Sequence, residues 1–160
     1  MRVDRLKSIG VLALVALFLP LILVYVACYL VCLFLWGVLL RVWFWRAHAA
    51  QGRRVLFVYS ESPNWQAYIE GNILPRIRGR AVVLNWSERR HWSSSSPWEA
   101  RFFRHFSGHR ESNPLALVFC PGGRIRSVRF HQPFLDFKHG KDSPLREAEA
   151  ELFALMEAAV

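Results

Sequence analysis

Cysteine is scarce in this chain, and its placement excludes most thiol chemistry. The three are Cys28, Cys32 and Cys120. Cys28 and Cys32 lie one helical turn apart in an apolar stretch, where they serve as small apolar packing groups. Cys120 is alone in the rest of the chain, so no disulfide can form there, which suits a reducing compartment. Acids are also few, 12 against 21 Lys and Arg, for a net charge of +9. No glycine-rich phosphate loop, G-x-S-x-G elbow, GxGxxG fingerprint or HExxH pair occurs. His105 and His109 have a spacing used by zinc sites, but no Cys or carboxylate cluster supplies the three or four convergent ligands zinc needs. No metal and no cofactor is expected.

Charge is wholly missing from Ile9 to Leu40. About 20 apolar residues cross a bilayer core as a helix, so this run sets where the protein resides. A secretory signal has an apolar core of about 7–15 residues and a small-residue cleavage site. This run is longer and ends in Arg41-Val42-Trp43-Phe44-Trp45-Arg46. Aromatics mixed with arginine suit headgroup depth, so Arg41, Trp43, Trp45 and Arg46 are candidate membrane-interface residues. At about 1.5 Å per residue the run would reach about 48 Å, against a core of about 30 Å. One tilted or overhanging span is expected, with a hairpin bent at Pro20 as the alternative. Arg2, Arg5 and Lys7 precede the run, and Arg41, Arg46, Arg53 and Arg54 follow it. Four to three, the positive-inside rule favours a cytoplasmic C-terminal domain.

The expected organisation is a basic tail over residues 1–8, a transmembrane segment with its aromatic belt over 9–45, a juxtamembrane linker over 46–53 and a soluble domain over 54–160. Residues 51–160 hold sixteen Lys and Arg against eleven acids, so much of the basic excess lies at the membrane end. Nucleic acid, which calls for a clustered basic face with stacking platforms, is an unlikely partner. Membrane lipid is favoured, because each basic residue beside an anionic surface contributes about 1 kcal/mol.

The soluble part reads as an α/β domain. Arg54–Tyr59, Ala81–Trp86 and Leu115–Phe119 are apolar, β-branched or aromatic runs of strand length. Arg124–Phe130 alternates charged and apolar residues, as an edge strand does. Between the last two strands, Cys120-Pro121-Gly122-Gly123 carries the Pro-Gly signature of a type II turn and makes them an antiparallel hairpin. Ser62-Pro63, Ser96-Pro97 and Ser143-Pro144 each read as a helix start, serine capping and proline at the first position. Trp65, Ile69 and Ile73 then mark one helix, ending near Pro75. Trp98, Phe102 and Phe106 mark a second, ending at Gly108; Leu145, Ala148, Leu152, Leu155 and Met156 mark a third. Trp65 and Trp98 are expected to be buried. Trp86 and Trp92, flanking Glu88 to His91, are either a contact surface or packing on the sheet edge.

The resulting order, β-α-β-α-β-β-α with a mixed four-stranded sheet, resembles the thioredoxin-like superfamily over about residues 54–159. The strongest local match is Asn113-Pro114 ahead of Leu115-Ala116-Leu117-Val118-Phe119 and the Cys120-Pro121-Gly122-Gly123 turn; the resemblance implies a cis-proline at Pro114. Redox members place Cys-x-x-Cys between the first strand and first helix. Here the stretch is Tyr59-Ser60-Glu61-Ser62-Pro63-Asn64-Trp65, without cysteine, which excludes thiol–disulfide exchange there. Cys120 lies at the far end of the third strand and cannot substitute. The resemblance implies that an extended peptide is held beside the proline, a form of strand addition. Ser60, Ser62, Trp65, Asn113 and Pro114 are therefore the candidate partner-binding residues, and an unidentified protein is the expected partner. The alternatives are a glutathione- or small-thiol-dependent transferase built on Ser60 or Tyr59, and an adaptor for anionic lipid surfaces using Arg41, Arg46, Arg53 and Arg54. No catalytic residue is assigned.

Overall fold

The computed structural model describes residues 2–90, 97–108 and 113–159, with side chains from Leu17 onward. The expected cap at Ser96, together with His91, Trp92 and His109, lies outside the described residues. By packing, the chain divides into two units, one ending at Leu39 and the other beginning at Leu40.

The first unit is helical. Helix α1 spans Arg2–Ala47 and contains Pro20 without a break, so no hairpin forms there. Its large apolar side chains between Leu17 and Leu39 lie exposed all around the axis, the pattern of a helix made for an apolar surround. It is long and apolar enough to cross a membrane.

The second unit is a mixed α/β domain on a four-stranded sheet. Its strands are β1 (Val55–Tyr59), β2 (Ala81–Asn85), β3 (Leu115–Phe119) and β4 (Ile125–Arg129), ordered β2-β1-β3-β4. β1 pairs with β2 in parallel, Phe57 opposite Val83. It pairs antiparallel with β3, Phe57 opposite Ala116. β3 and β4 form the expected hairpin, Leu117 opposite Ser127. Gly122 takes φ 75 and ψ 13 in the connecting turn, the left-handed position that a type II turn reserves for glycine.

The two central strands are buried along their whole length, and alternate residues feed two cores. One face carries Phe57, Tyr59, Ala116 and Val118 against Ile69, Ile73 and Ile77 and against helices α5 (His131–Lys138) and α6 (Ser143–Ala158). The other carries Leu56, Val58, Leu117 and Phe119 against helix α4 (Trp98–Phe106) and the last turns of α1. Leu40 and Phe44 are fully buried there. Phe44 stacks on Phe102 at 4.4 Å between ring centroids and on Phe119 at 5.8 Å. A buried phenylalanine contributes about 1.5–3 kcal/mol, so the C-terminal turns of α1 are structural members of the domain. The packing boundary between Leu39 and Leu40 thus falls inside the segment that the apolar run suggests is all membrane.

Three local expectations change. The helix after β1 is composite: α2 (Gln66–Tyr68), a π turn over Ile69–Ile73 and α3 (Leu74–Ile77). It continues past Pro75, whose ring would press on the Gly71 carbonyl in a regular helix and whose missing N–H would leave it unpaired; the wider π turn relieves both. Ser143 does not cap by its side chain, and Ser62 does so only loosely, its hydroxyl accepting from the Asn64 amide at 3.4 Å ahead of α2. The helix starts at Trp65 and Asp142 have no side-chain cap bond, and the Ser143 hydroxyl donates to Glu147 at 2.6 Å instead. Between β4 and α6 the chain forms α5, absent from the expected element order. Its signal was present: Phe130, Phe134 and Phe137 recur at helical spacing. Pro133 falls in the first turn, where a missing amide is harmless.

Candidate functional site

The loop after β1 and the residues before β3 meet at one end of the sheet. The Asn113–Pro114 peptide bond is cis. Pro114 is buried, and its carbonyl accepts from the Phe130 amide at 3.0 Å, extending the hairpin by one bond. Ser60 Oγ donates to Asn113 Oδ1 at 2.6 Å. Trp65 Nε1 donates to the Ser60 carbonyl at 2.9 Å. Three of the expected residues are thus tied to one another, with Pro114 next in chain to Asn113.

Ser62 joins this cluster through its backbone, its amide donating to the Ser60 carbonyl at 2.9 Å. Its hydroxyl faces the Asn64 amide at 3.4 Å, and its carbonyl accepts from Trp65 and Gln66 at 3.2 and 2.9 Å. It shapes the turn that leads into the helix. The neighbouring Glu61 amide donates to Ser87 Oγ at 2.9 Å, and the Asn85 side-chain amide donates to the Glu61 carboxylate at 2.7 Å. The cysteine-free loop is therefore pinned on both sides, to β3 through Asn113 and to the end of β2 through Asn85.

The site also contains His131, which sequence reasoning left among the unassigned histidines. Its Nδ1 lies 3.3 Å from the Asn113 carbonyl, and its ring meets Trp65 edge-on at 5.6 Å between centroids. Trp65 packs further against Phe134. His131 reaches the site because α5 begins there, so missing the helix meant missing the residue.

Chemically the cluster is a neutral hydrogen-bonded network. The Ser60 hydroxyl donates to a neutral amide, which cannot take its proton as a general base would. Tyr59 is buried and its phenol points to Glu70 at 3.4 Å. Burial, and then the Glu70 charge, hold its proton more tightly than in free tyrosine. Among the described residues no three of His, Cys, Asp and Glu come together to hold a metal ion.

The four membrane-interface candidates divide by direction. Arg41 and Trp43 turn into the domain: the Arg41 guanidinium lies over the Phe106 ring at 4.8 Å, and Trp43 stacks on Trp98 at 5.6 Å. Trp45 and Arg46 point outward. Trp98, expected in the core, is instead half-covered through that stack, because the core-facing side of α4 is taken by Ala100, Phe102 and Phe103. Trp86 is buried against Phe103 at 4.6 Å, which settles it as sheet-edge packing.

No protein-family model, curated protein or solved structure matches the chain.

Proposed function

We propose that this protein is a membrane-anchored, redox-inactive domain of the thioredoxin-like superfamily that binds an extended segment of a partner protein. The observation that carries the reading is the Ser60–Asn113–Trp65 hydrogen-bonded cluster beside Pro114, at the position where redox relatives hold their cysteines. The strand order β2-β1-β3-β4 and the position of Pro114 directly ahead of β3 support the superfamily assignment. A loop fixed at both ends costs little ordering when a ligand binds, which favours affinity from modest contacts. The backbone beside Asn113 offers strand-type bonds to an extended peptide, and Trp65 and His131 offer ring surfaces for its side chains. α1 crosses the membrane once and leaves the domain on the cytoplasmic side.

The test is binding of the full-length chain, in detergent, to an array of unfolded peptides. A bulky Ser60→Phe substitution fills the surface, and Asn113→Ala removes the acceptor that fixes the loop. Each is expected to weaken the best peptides roughly tenfold, the value of about 1.4 kcal/mol, with the melting temperature retained. Unchanged binding by a folded Ser60→Phe chain would place the recognition surface elsewhere.

A further inference from the structure

A second site lies at the other end of the sheet, against the last turns of α1. A cavity of about 610 Å³ is bounded by helix residues Arg41, Trp45 and Arg46, by Arg54 at the start of β1, and by Phe119 and Pro121 where β3 turns. Its size falls in the range of small-molecule sites, about 300–1,000 Å³. Among the described residues its wall contains three arginines and no carboxylate, an imbalance that calls for an anion. Two of the three are positioned by the protein: Arg41 lies over Phe106, and Arg54 donates to the Ala159 carbonyl. Each guanidinium carries five N–H donors, so both keep capacity for a ligand. Arg46 is exposed at the rim.

The remaining walls are apolar, formed by Trp45, Phe119 and Pro121. A free inorganic ion has no use for such a surface. An anionic amphiphile does: guanidinium groups suit a phosphate, and the aromatic floor suits the glycerol and the first methylenes. The cavity's first arginine is also the first residue after the uncharged run, within about one helical turn of the depth where headgroups lie if α1 spans a bilayer.

We infer that this cavity binds the headgroup of an anionic phospholipid. The inference rests on the membrane span proposed above and is independent of the Ser60–Asn113 surface. It is tested with the full-length chain reconstituted in nanodiscs of equal phosphatidylcholine and phosphatidylglycerol. The chain is then moved to mild detergent and its retained lipid measured by native mass spectrometry. Retained phosphatidylglycerol is expected to exceed phosphatidylcholine roughly tenfold. Arg46→Gln, at an exposed position, is expected to erase most of that excess. Arg126→Gln, an exposed arginine on β4 outside the cavity, is expected to leave it. Equal retention of the two lipids, or equal effects of the two substitutions, would overturn the site. So would inorganic phosphate in lipid-free detergent raising the melting temperature as much as phosphatidylglycerol does. Carbonate extraction separates the failures. A chain that stays in the membrane without lipid preference loses this site alone, whereas a chain that is extracted loses the span as well.

Discussion

His105 shows how one residue of α4 feels the charge at the end of α1. Burial disfavours its charged form, and the Arg41 guanidinium adds to this, so its pKa is lowered from 6.5. The native state then binds fewer protons than the unfolded chain in the window between the lowered value and 6.5. Stability from this residue is complete above the ordinary value and lost as pH falls below it. The melting temperature of the full-length chain in detergent should fall as pH drops below the ordinary value of 6.5, and His105→Gln should flatten part of that slope. An identical slope in the variant would show that His105 does not couple there. Residues were legible in unequal measure. Ser60, Trp65 and Asn113, which the structure brings together, stand out in sequence because the loop before a helix and the residue before a strand are places a sequence marks. Ser62 caps the turn with both its acceptors, its hydroxyl facing the Asn64 amide and its carbonyl receiving the Trp65 and Gln66 amides.

At the scale of elements, the strands were the easiest to read. β1 and β3 are continuous apolar runs because both faces of the sheet are covered, and β4 alternates because it is an edge. The helices were harder where proline had to be interpreted. Pro75 signals a stop in isolation, yet the π turn before it lets the helix continue to Ile77. Pro133 concealed a start, and with it His131. The end of α1 was the least legible, since one apolar sequence serves a lipid surround up to Leu39 and a protein core from Leu40. That division has a measurable consequence. Phe44→Ala, removing a ring packed on Phe102 and Phe119, is expected to destabilise the domain by about 3–5 kcal/mol. Trp45→Ala, at a side chain 52% exposed, is expected to cost under about 0.5 kcal/mol. Chemical denaturation of the full chain in detergent measures both; equal effects would contradict the assignment of Phe44 to the domain core.

The whole molecule joins a long apolar helix to a domain whose two ends carry different chemistry. One end presents a neutral, hydrogen-bonded surface built by Ser60, Trp65, Asn113 and His131. The other presents arginines beside aromatic walls. The first came from the order of elements and a missing cysteine pair; the arginines of the second were legible as a candidate lipid surface, but their meeting with Phe119 was not, because it arises only through the pairing of β1 with β3. The central claim is that the cysteine-free loop engages a partner segment. Its most direct test is site-specific photocrosslinking in cells, with a benzophenone amino acid in the full-length chain at exposed Glu61 beside the cluster, or at exposed Glu151 on α6 as the remote control. The expected result is a discrete adduct from position 61 that is absent from position 151 and disappears when Ser60→Phe is added. The same adducts from both positions, or an adduct from position 61 that survives Ser60→Phe in a folded chain, would contradict it.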